Sequence, residues 1–403
     1  MGVDSLKVGV VSIYWPPHFG GAEKYVHAMV DGLVKRDVDA WGITATPARD
    51  DRDNGIENVH RIGVETHCWD KKGCEAWFKE VAVHVQTEGY THILVNSPLT
   101  RAYYGFCEKL FISLRAIPNL KIGVVHHDLG LRIRLLLENF YAEFGDWEKA
   151  AKHLEEEQQL YCDSKSSIFI NKDAYYAFDS PLYFEPDFVV GNADWSCRFI
   201  DPLNTIPHYI LHPVIEELNK PKSEKLKRVN ITMLNPLFHK GRSYMADFIN
   251  DYNHDWTYRV LLGSYGGQKK DFLRMIKDSW AVRDGRVDIV NYVQDIEDAY
   301  DATDIFIYPS RYEGYGMAAI EPMFRGVPVL VQDYPAIIEA VGDAAIVIPY
   351  NIDSGEWIDE VEDLLLDDER YEEIKEKGLK HAKTILIRQQ EEIDGLIRFL
   401  EDF

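Results

Sequence analysis

Apolar runs of strand length recur along this chain, each bounded by polar or turn-forming residues. In the first half they are Leu6–Ile13, Val38–Ala45, Thr91–Asn96, Lys121–Val125 and Asp187–Val190. Between them apolar residues return at helical spacing, as at Ala22, Val26, Met29, Val30 and Leu33. This alternation predicts a doubly wound parallel sheet. Residues 130–178 are charged, aromatic and helical in pattern and read as helices at the rim of a cleft. Residues 212–228 are polar and carry Pro221, which suits an interdomain linker. Strand-like runs restart at Val229–Leu234, Tyr258–Leu262, Val287–Val293, Asp304–Tyr308, Pro328–Val331 and Ala345–Ile348. From Glu356 to Phe403 the pattern is helical throughout. The expected fold is therefore α/β, with two doubly wound Rossmann-like domains, residues 1–215 and 216–388, facing each other across a cleft. Residues 389–403 form a last helix able to pack back on the first domain.

Length agrees, since 403 residues exceed one typical core. The net charge of −23, without a clustered basic stripe, disfavours a long polyanion such as nucleic acid. A small anionic ligand remains compatible, because a few local donors outweigh the global field at contact distance. No run of about 18 apolar residues is present, so no integral membrane association is expected. The N-terminus lacks the layout of a secretion signal. Gly2 fits myristoylation poorly, because Leu6 stands where that pattern needs Ser or Thr. The cysteines Cys68, Cys74, Cys107, Cys162 and Cys197 are odd in number and suggest no disulfide framework, so a reducing cytoplasmic setting is expected. His67, Cys68 and Cys74 have no second ligand pair at usable spacing, and no metal is expected.

The chemistry concentrates in residues 309–326, between the strand-like runs Asp304–Tyr308 and Pro328–Gln332. Glu313 and Glu321 flank a turn containing Gly314 and Gly316. Strand, glycine turn, helix and strand would place free backbone N–H groups and two carboxylates at the carboxyl end of a parallel sheet, where such sheets bind ligands. The alternative is that Glu321 is a solvated helix face and the glycines a plain strand-to-helix turn.

Glu313-Gly-Tyr-Gly-Met, then Glu321, then Gly326-Val-Pro-Val resemble the family 4 retaining glycosyltransferases, which have the GT-B fold. Weaker matches follow in order along the chain: Phe19-Gly-Gly-Ala-Glu23, His126-His-Asp128, Val190–Ser196, His212-Pro-Val, His239-Lys-Gly241 and Leu261–Gly266. The resemblance implies transfer of a sugar from a nucleotide-sugar donor, UDP- or GDP-linked, with retention of configuration and without metal or cofactor. It implies that Lys240 neutralises the leaving diphosphate, that Glu313 meets the donor-sugar hydroxyls and that Glu321 takes the ribose diol. Gly314, Tyr315, Gly316, Met317 and Ala318 would form the phosphate-facing turn, with Gly263 in the second domain's glycine loop. Gly20 and Gly21 would complete the donor site from the first domain. One of His126 and His127 would reach the donor sugar: the His-Asp pattern favours His127, and strand-end placement favours His126.

Two departures stand out. Leu234 occupies the place where the family usually has an arginine, six residues before Lys240. Arg242, His239 and Arg311 are candidates to supply the missing charge. Pro322 follows Glu321 where a small helix former is usual, and proline past the first turn bends a helix. A nucleotide-sugar epimerase, a glycoside phosphorylase or a non-catalytic nucleotide-sugar-binding relative are the alternatives. For the acceptor, Arg132 and Arg134 offer little basic surface before Glu138, Glu143 and Glu155–Glu157. Tyr103, Tyr104, Tyr141 and Tyr175 could stack on a ring. A small-molecule, saccharide or protein acceptor is expected.

Overall fold

Strands of a parallel sheet are covered by helices on both faces, so they read as unbroken apolar runs. The computed structural model of the chain contains thirteen such strands in two sheets among the described residues. Those residues are 6–15, 21–45, 57–62, 71–96, 104–127, 129, 131–163, 181–201, 205–218, 228–263, 268–291 and 296–403. The chain divides into two units, Met1–Val214 with Gln389–Phe403, and Ile215–Arg388.

The first unit contains β1 (Lys7–Ser12), β2 (Asp39–Thr44), β3 (Val59–Arg61), β4 (His92–Asn96), β5 (Lys121–His126), β6 (Phe188–Gly191) and β7 (His208–Ile210). Their order is β3-β2-β1-β4-β5-β6-β7, and every pair is parallel. The chain winds outward from β1 through β2 and β3, then crosses back to β4 on β1's other side. That reversal makes a topological switch point between β1 and β4. One sheet face packs Trp77, Phe78, Val81, Leu110 and Phe111 against Ile93 and Val124. The other packs Tyr25, Val26, Met29 and Leu33 against Val8 and Val10, together with Ile393, Leu396 and Leu400 of the last helix.

The second unit contains β8 (Asn230–Leu234), β9 (Thr257–Leu261), β10 (Val287–Val290), β11 (Ile305–Tyr308), β12 (Val329–Gln332) and β13 (Ile346–Ile348). The order β10-β9-β8-β11-β12-β13 is again parallel throughout, with its switch point between β8 and β11. Its core gathers Ile231, Met233, Phe248, Phe272, Ile305, Ile307, Leu330 and Trp357.

Three local expectations need correcting. β3 and β7 have no counterpart in the apolar pattern, because each is three residues long, lies at a sheet edge and carries polar side chains. The C-terminal periodicity is two helices, Ser354–Leu366 and Asp368–Glu401, separated by Asp367, whose φ of −113° and ψ of 89° are not helical. The presumed linker also begins late. His212 is pinned within the first unit, its N–H and Nδ1 lying 2.9 and 2.7 Å from the Glu392 carboxylate.

Candidate functional site

Two loops leave the switch point of the second sheet, one after β8 and one after β11. They are joined through the backbone: Arg311 N–H donates to His239 O at 2.9 Å. Gly241 packs directly on Pro309. A Cβ at Gly241 would lie 2.4 Å from the Pro309 carbonyl oxygen, and its φ of 80° is in the left-handed region, so only glycine fits. This zipper brings Lys240 and Glu313, 73 residues apart, into an ion pair. Both side chains are mostly buried, at 18 % and 11 % exposure. Glu313 Oε1 also accepts from Tyr308 OH and lies 2.7 Å from Ser310 Oγ. Burial and the Glu313 carboxylate hold the Tyr308 phenol well above its ordinary pKa, so it stays a donor. Three donors on one oxygen fix the carboxylate's orientation while Lys240 is held at the carboxyl end of the sheet.

After Glu313 the chain turns at Gly316, whose φ of 105° few other residues adopt, into the short helix Met317–Ile320. Met317 and Ala318 open that helix, so their N–H groups have no intrahelical acceptor. Gly314 lies in the preceding turn. Glu321 then begins a 3₁₀ segment, Glu321–Arg325, with Tyr300 OH donating to its Oε2 at 2.9 Å.

Other expected donor residues are placed less usefully. The Tyr315 ring is buried and its hydroxyl is bound by Arg388, so its side chain is not presented to a ligand. Arg242 turns away to Asp271, 3.6 Å from its carboxylate, because both open the facing ends of neighbouring helices. Arg311, by contrast, has no acidic partner among the described residues. Gly263 faces the Asn235 side chain, whose Oδ1 would be 2.3 Å from an added Cβ. Leu234 ends β8 opposite Leu261 and offers no charge.

In the first unit, Gly20 and Asp128 lie outside the described residues, and Gly21 begins the helix Gly21–Val34. The two histidines are distinguished. His126 is 1 % exposed, its Nε2 lies 3.0 Å from Ser196 O, and burial pushes its pKa down to about 4. His126 is thus held inside the first unit by Ser196 O. His127, just past β5, hydrogen-bonds through Nε2 to Asn96 Oδ1, and Asn96 Nδ2 in turn donates to Ser12 Oγ at 2.9 Å. The Tyr25 ring meets His127 edge-on at 5.0 Å. Burial, with His126 adjacent, lowers the His127 pKa to about 3, so the ring is neutral at physiological pH. The sequence pattern missed Asn96 and Ser12, which link the ends of β4 and β1.

Among the candidate aromatic residues, Tyr141 stacks on Trp147 at 4.3 Å as packing. Tyr103, Tyr175, His67 and Cys68 lie outside the described residues. Among the described residues no group of three or more His, Cys, Asp or Glu side chains could hold a metal, and no helix is long and apolar enough to cross a membrane.

Residues 219–381, which include Lys240, Glu313 and Glu321, match the family model described as Glycosyl transferases group 1. The match is confined to the second unit. Sequence relatives include the O-antigen chain mannosyltransferase B of Escherichia coli, 35 % identical over 100 residues, or 24 % of this chain and 26 % of that protein. The lipopolysaccharide core biosynthesis mannosyltransferase LpsB of Rhizobium meliloti is 27 % identical over 172 residues, 38 % of this chain and 48 % of that protein. The matched stretches thus span about half or less of these relatives' length. Among solved structures, the Anabaena Alr3699/HepE complex with UDP and glucose superposes with a TM-score of 0.66 at 13 % identity, covering 98 % of this chain and 99 % of that one. WaaG, a glycosyltransferase involved in lipopolysaccharide biosynthesis, gives 0.64 at 15 % identity over 95 % and 97 %. With the two parallel sheets, these likenesses establish the GT-B fold of the chain.

Proposed function

We propose that this chain transfers a hexosyl group from a nucleotide-sugar donor to an acceptor hydroxyl, with retention of anomeric configuration. The observation that carries the reading is the Lys240–Glu313 pair, fixed by Tyr308 and Ser310 at the switch point of the group 1 domain. Ligands of open α/β sheets bind at that place. Lys240 supplies the cation for the leaving diphosphate, whose charge grows as the bond to the sugar breaks. Glu313 accepts from donor-sugar hydroxyls, the amides of Met317 and Ala318 face phosphate oxygen, and Glu321 accepts from the ribose diol. His127, neutral and oriented by Asn96, offers the sugar a hydrogen-bonding ring rather than a charge.

Retention follows a front-face course in this reading. The acceptor oxygen attacks from the leaving-group side, the bond from the anomeric carbon to the phosphate oxygen breaks, and that oxygen receives the acceptor proton. No protein nucleophile and no metal is required. The donor is UDP- or GDP-linked and the acceptor a saccharide, because the sequence relatives carry the names O-antigen and lipopolysaccharide core mannosyltransferase.

A thermal-shift screen of nucleotide sugars, with mannosyl and glucosyl donors first, identifies base and sugar together, since a bound ligand raises the melting temperature. The best donor is then incubated with saccharide acceptors and the product anomer read by NMR. An inverted anomer refutes retention. A second reading, nucleotide-sugar binding without turnover, is motivated by Leu234 in the diphosphate region. Binding with neither transfer nor donor hydrolysis would favour it.

A further inference from the structure

The segment carrying Glu321 is not an ordinary helix. Four residues of α-helix, Met317–Ile320, give way to 3₁₀ geometry over Glu321–Arg325. Pro322 has no N–H to continue the α-helical ladder, and its ring opposes the preceding turn. 3₁₀ hydrogen bonds are poorer in geometry than α-helical ones, so the backbone holds the direction of Glu321 weakly.

One neighbouring helix, Ile296–Asp301, supplies side-chain contacts to this segment at both of its ends. At the first, Tyr300 OH donates to Glu321 Oε2 at 2.9 Å. At the last, the Arg325 guanidinium reaches Glu297 Oε2 at 3.3 Å and pairs with Asp301. Tyr300 is fully buried and Arg325 is 4 % exposed, while Glu321 itself keeps partial exposure. Apolar residues could hold two short helices together as firmly, because a buried ion pair gains little net stability over a hydrophobic contact. What the polar arrangement adds is direction. Burial and Glu321 also hold the Tyr300 phenol well above its ordinary pKa, so it remains a donor and Glu321 remains the acceptor.

We propose that Tyr300 and Arg325 are positioning residues, which hold the proline-broken segment so that the Glu321 carboxylate receives the ribose hydroxyls of the donor. The proposal rests on reading Glu321 as the nucleoside-binding carboxylate. It accounts for Pro322: the bend aims Glu321, and the brace from Ile296–Asp301 takes over from the lost helix bond.

The test is an enzyme–ligand cycle. UDP and GDP, each with its 2′,3′-dideoxy counterpart, are titrated calorimetrically into the full-length wild type, Tyr300→Phe and Arg325→Lys, with thermal melts and steady-state rates alongside. For the wild type, the ribo form of the accepted nucleotide should bind about 10-fold or more tighter than the dideoxy form, the scale of hydrogen bonds to a charged group. In Tyr300→Phe, which keeps the ring, and in Arg325→Lys, which keeps the charge, that preference should shrink to about 2- to 3-fold. Affinity for the dideoxy form should be the same in all three proteins. Donor KM should rise with kcat nearly unchanged, as when binding common to ground and transition states is lost. If neither nucleotide binds the wild type, or it shows no ribose preference, the reading of Glu321 falls and takes the proposal with it. If the wild type prefers the ribo form and a variant keeps that preference in full, Glu321 stands and that residue is not a positioning residue, whatever its melting temperature does.

Discussion

Lys240 is paired with Glu313, so on the proposed function a diphosphate would have to compete for it. The two partners should therefore respond oppositely to substitution. Lys240→Ala removes the cation, and a hydrogen bond to a charged group contributes about 1.5–3 kcal/mol. Nucleoside diphosphate affinity should fall about 10- to 150-fold at about 1.4 kcal/mol per decade. Loss of one preorganised donor to the leaving group costs about 2–4 kcal/mol in the transition state, so kcat should drop about 30- to 1,000-fold. Glu313→Gln keeps the shape and still accepts from Tyr308 and Ser310, but releases Lys240. Nucleoside diphosphate should bind it at least as tightly as the wild type, while kcat falls because the donor sugar loses its carboxylate. The assays are calorimetric titration of the nucleoside diphosphate and initial rates of transfer. Fold integrity is checkable in both variants, because the Gly241–Pro309 and Arg311–His239 backbone contacts do not involve the substituted atoms. Unchanged turnover in Lys240→Ala would refute the catalytic assignment. Weaker diphosphate binding in Glu313→Gln would refute the competition.

Further outcomes follow from the same geometry. Gly241→Ala drives a Cβ into the Pro309 carbonyl at a left-handed φ, so it should destabilise the second unit by about 1–3 kcal/mol and suppress activity, measured by denaturant melts and rates. Arg311→Gln should weaken nucleoside diphosphate binding while Arg242→Gln leaves it within about 2-fold, because Arg242 already faces Asp271; calorimetry reads both. His126 is buried neutral with its pKa lowered from 6.5 to about 4, so the unfolded chain binds the extra proton between those values. Stability should therefore be full above pH 6.5 and be lost as pH falls towards 4. In denaturant titrations across that range, His126→Gln should show a shallower decline. Asn96→Asp puts a carboxylate on His127 and should raise its pKa by about 1–3 units from about 3, visible in the imidazole NMR titration, where an unmoved pKa would show that the two side chains do not meet.

The central strands were legible in the sequence because burial on both faces leaves their middles apolar, as in residues 8–11 and 305–307. The same rule hides Val59–Arg61 and His208–Ile210, which have a partner on one side only. In the site, Lys240 and Glu313 announce themselves through adjacent glycines, and Glu321 through its place between Gly316 and Gly326. The residues that hold them do not. Tyr308 reads as the end of an apolar run and Ser310 as a turn residue, yet their oxygens meet Glu313 because the chain doubles back within the turn. Ser12 and Asn96 are 84 residues apart and become neighbours through the β1–β4 pairing. Arg325 looks like a solvated basic residue in a last helical turn and is in fact buried between two carboxylates. The choice between His126 and His127 depends on which ring the sheet swallows, and the local pattern is symmetric in that respect.

The two sheets share a construction that explains where polar residues can be kept at all. Crossover connections leave each switch point in opposite directions, so no helix covers the gap between the two central strand ends. In the second unit that gap lies between β8 and β11 and is spanned by Lys240 and Glu313. In the first it lies between β1 and β4 and is spanned by Ser12 and Asn96, with His127 attached from β5. Elsewhere along either sheet a polar side chain at a strand end is buried and needs a partner within the protein, as His126 at the end of β5 has in Ser196 O. At the switch points it can keep one face bonded to the protein and the other open. The charged link falls in the second unit and the neutral one in the first. The difference in charge is the one the proposed function requires: a diphosphate would demand a cation, whereas a sugar hydroxyl would be served by a neutral imidazole whose orientation an amide can set.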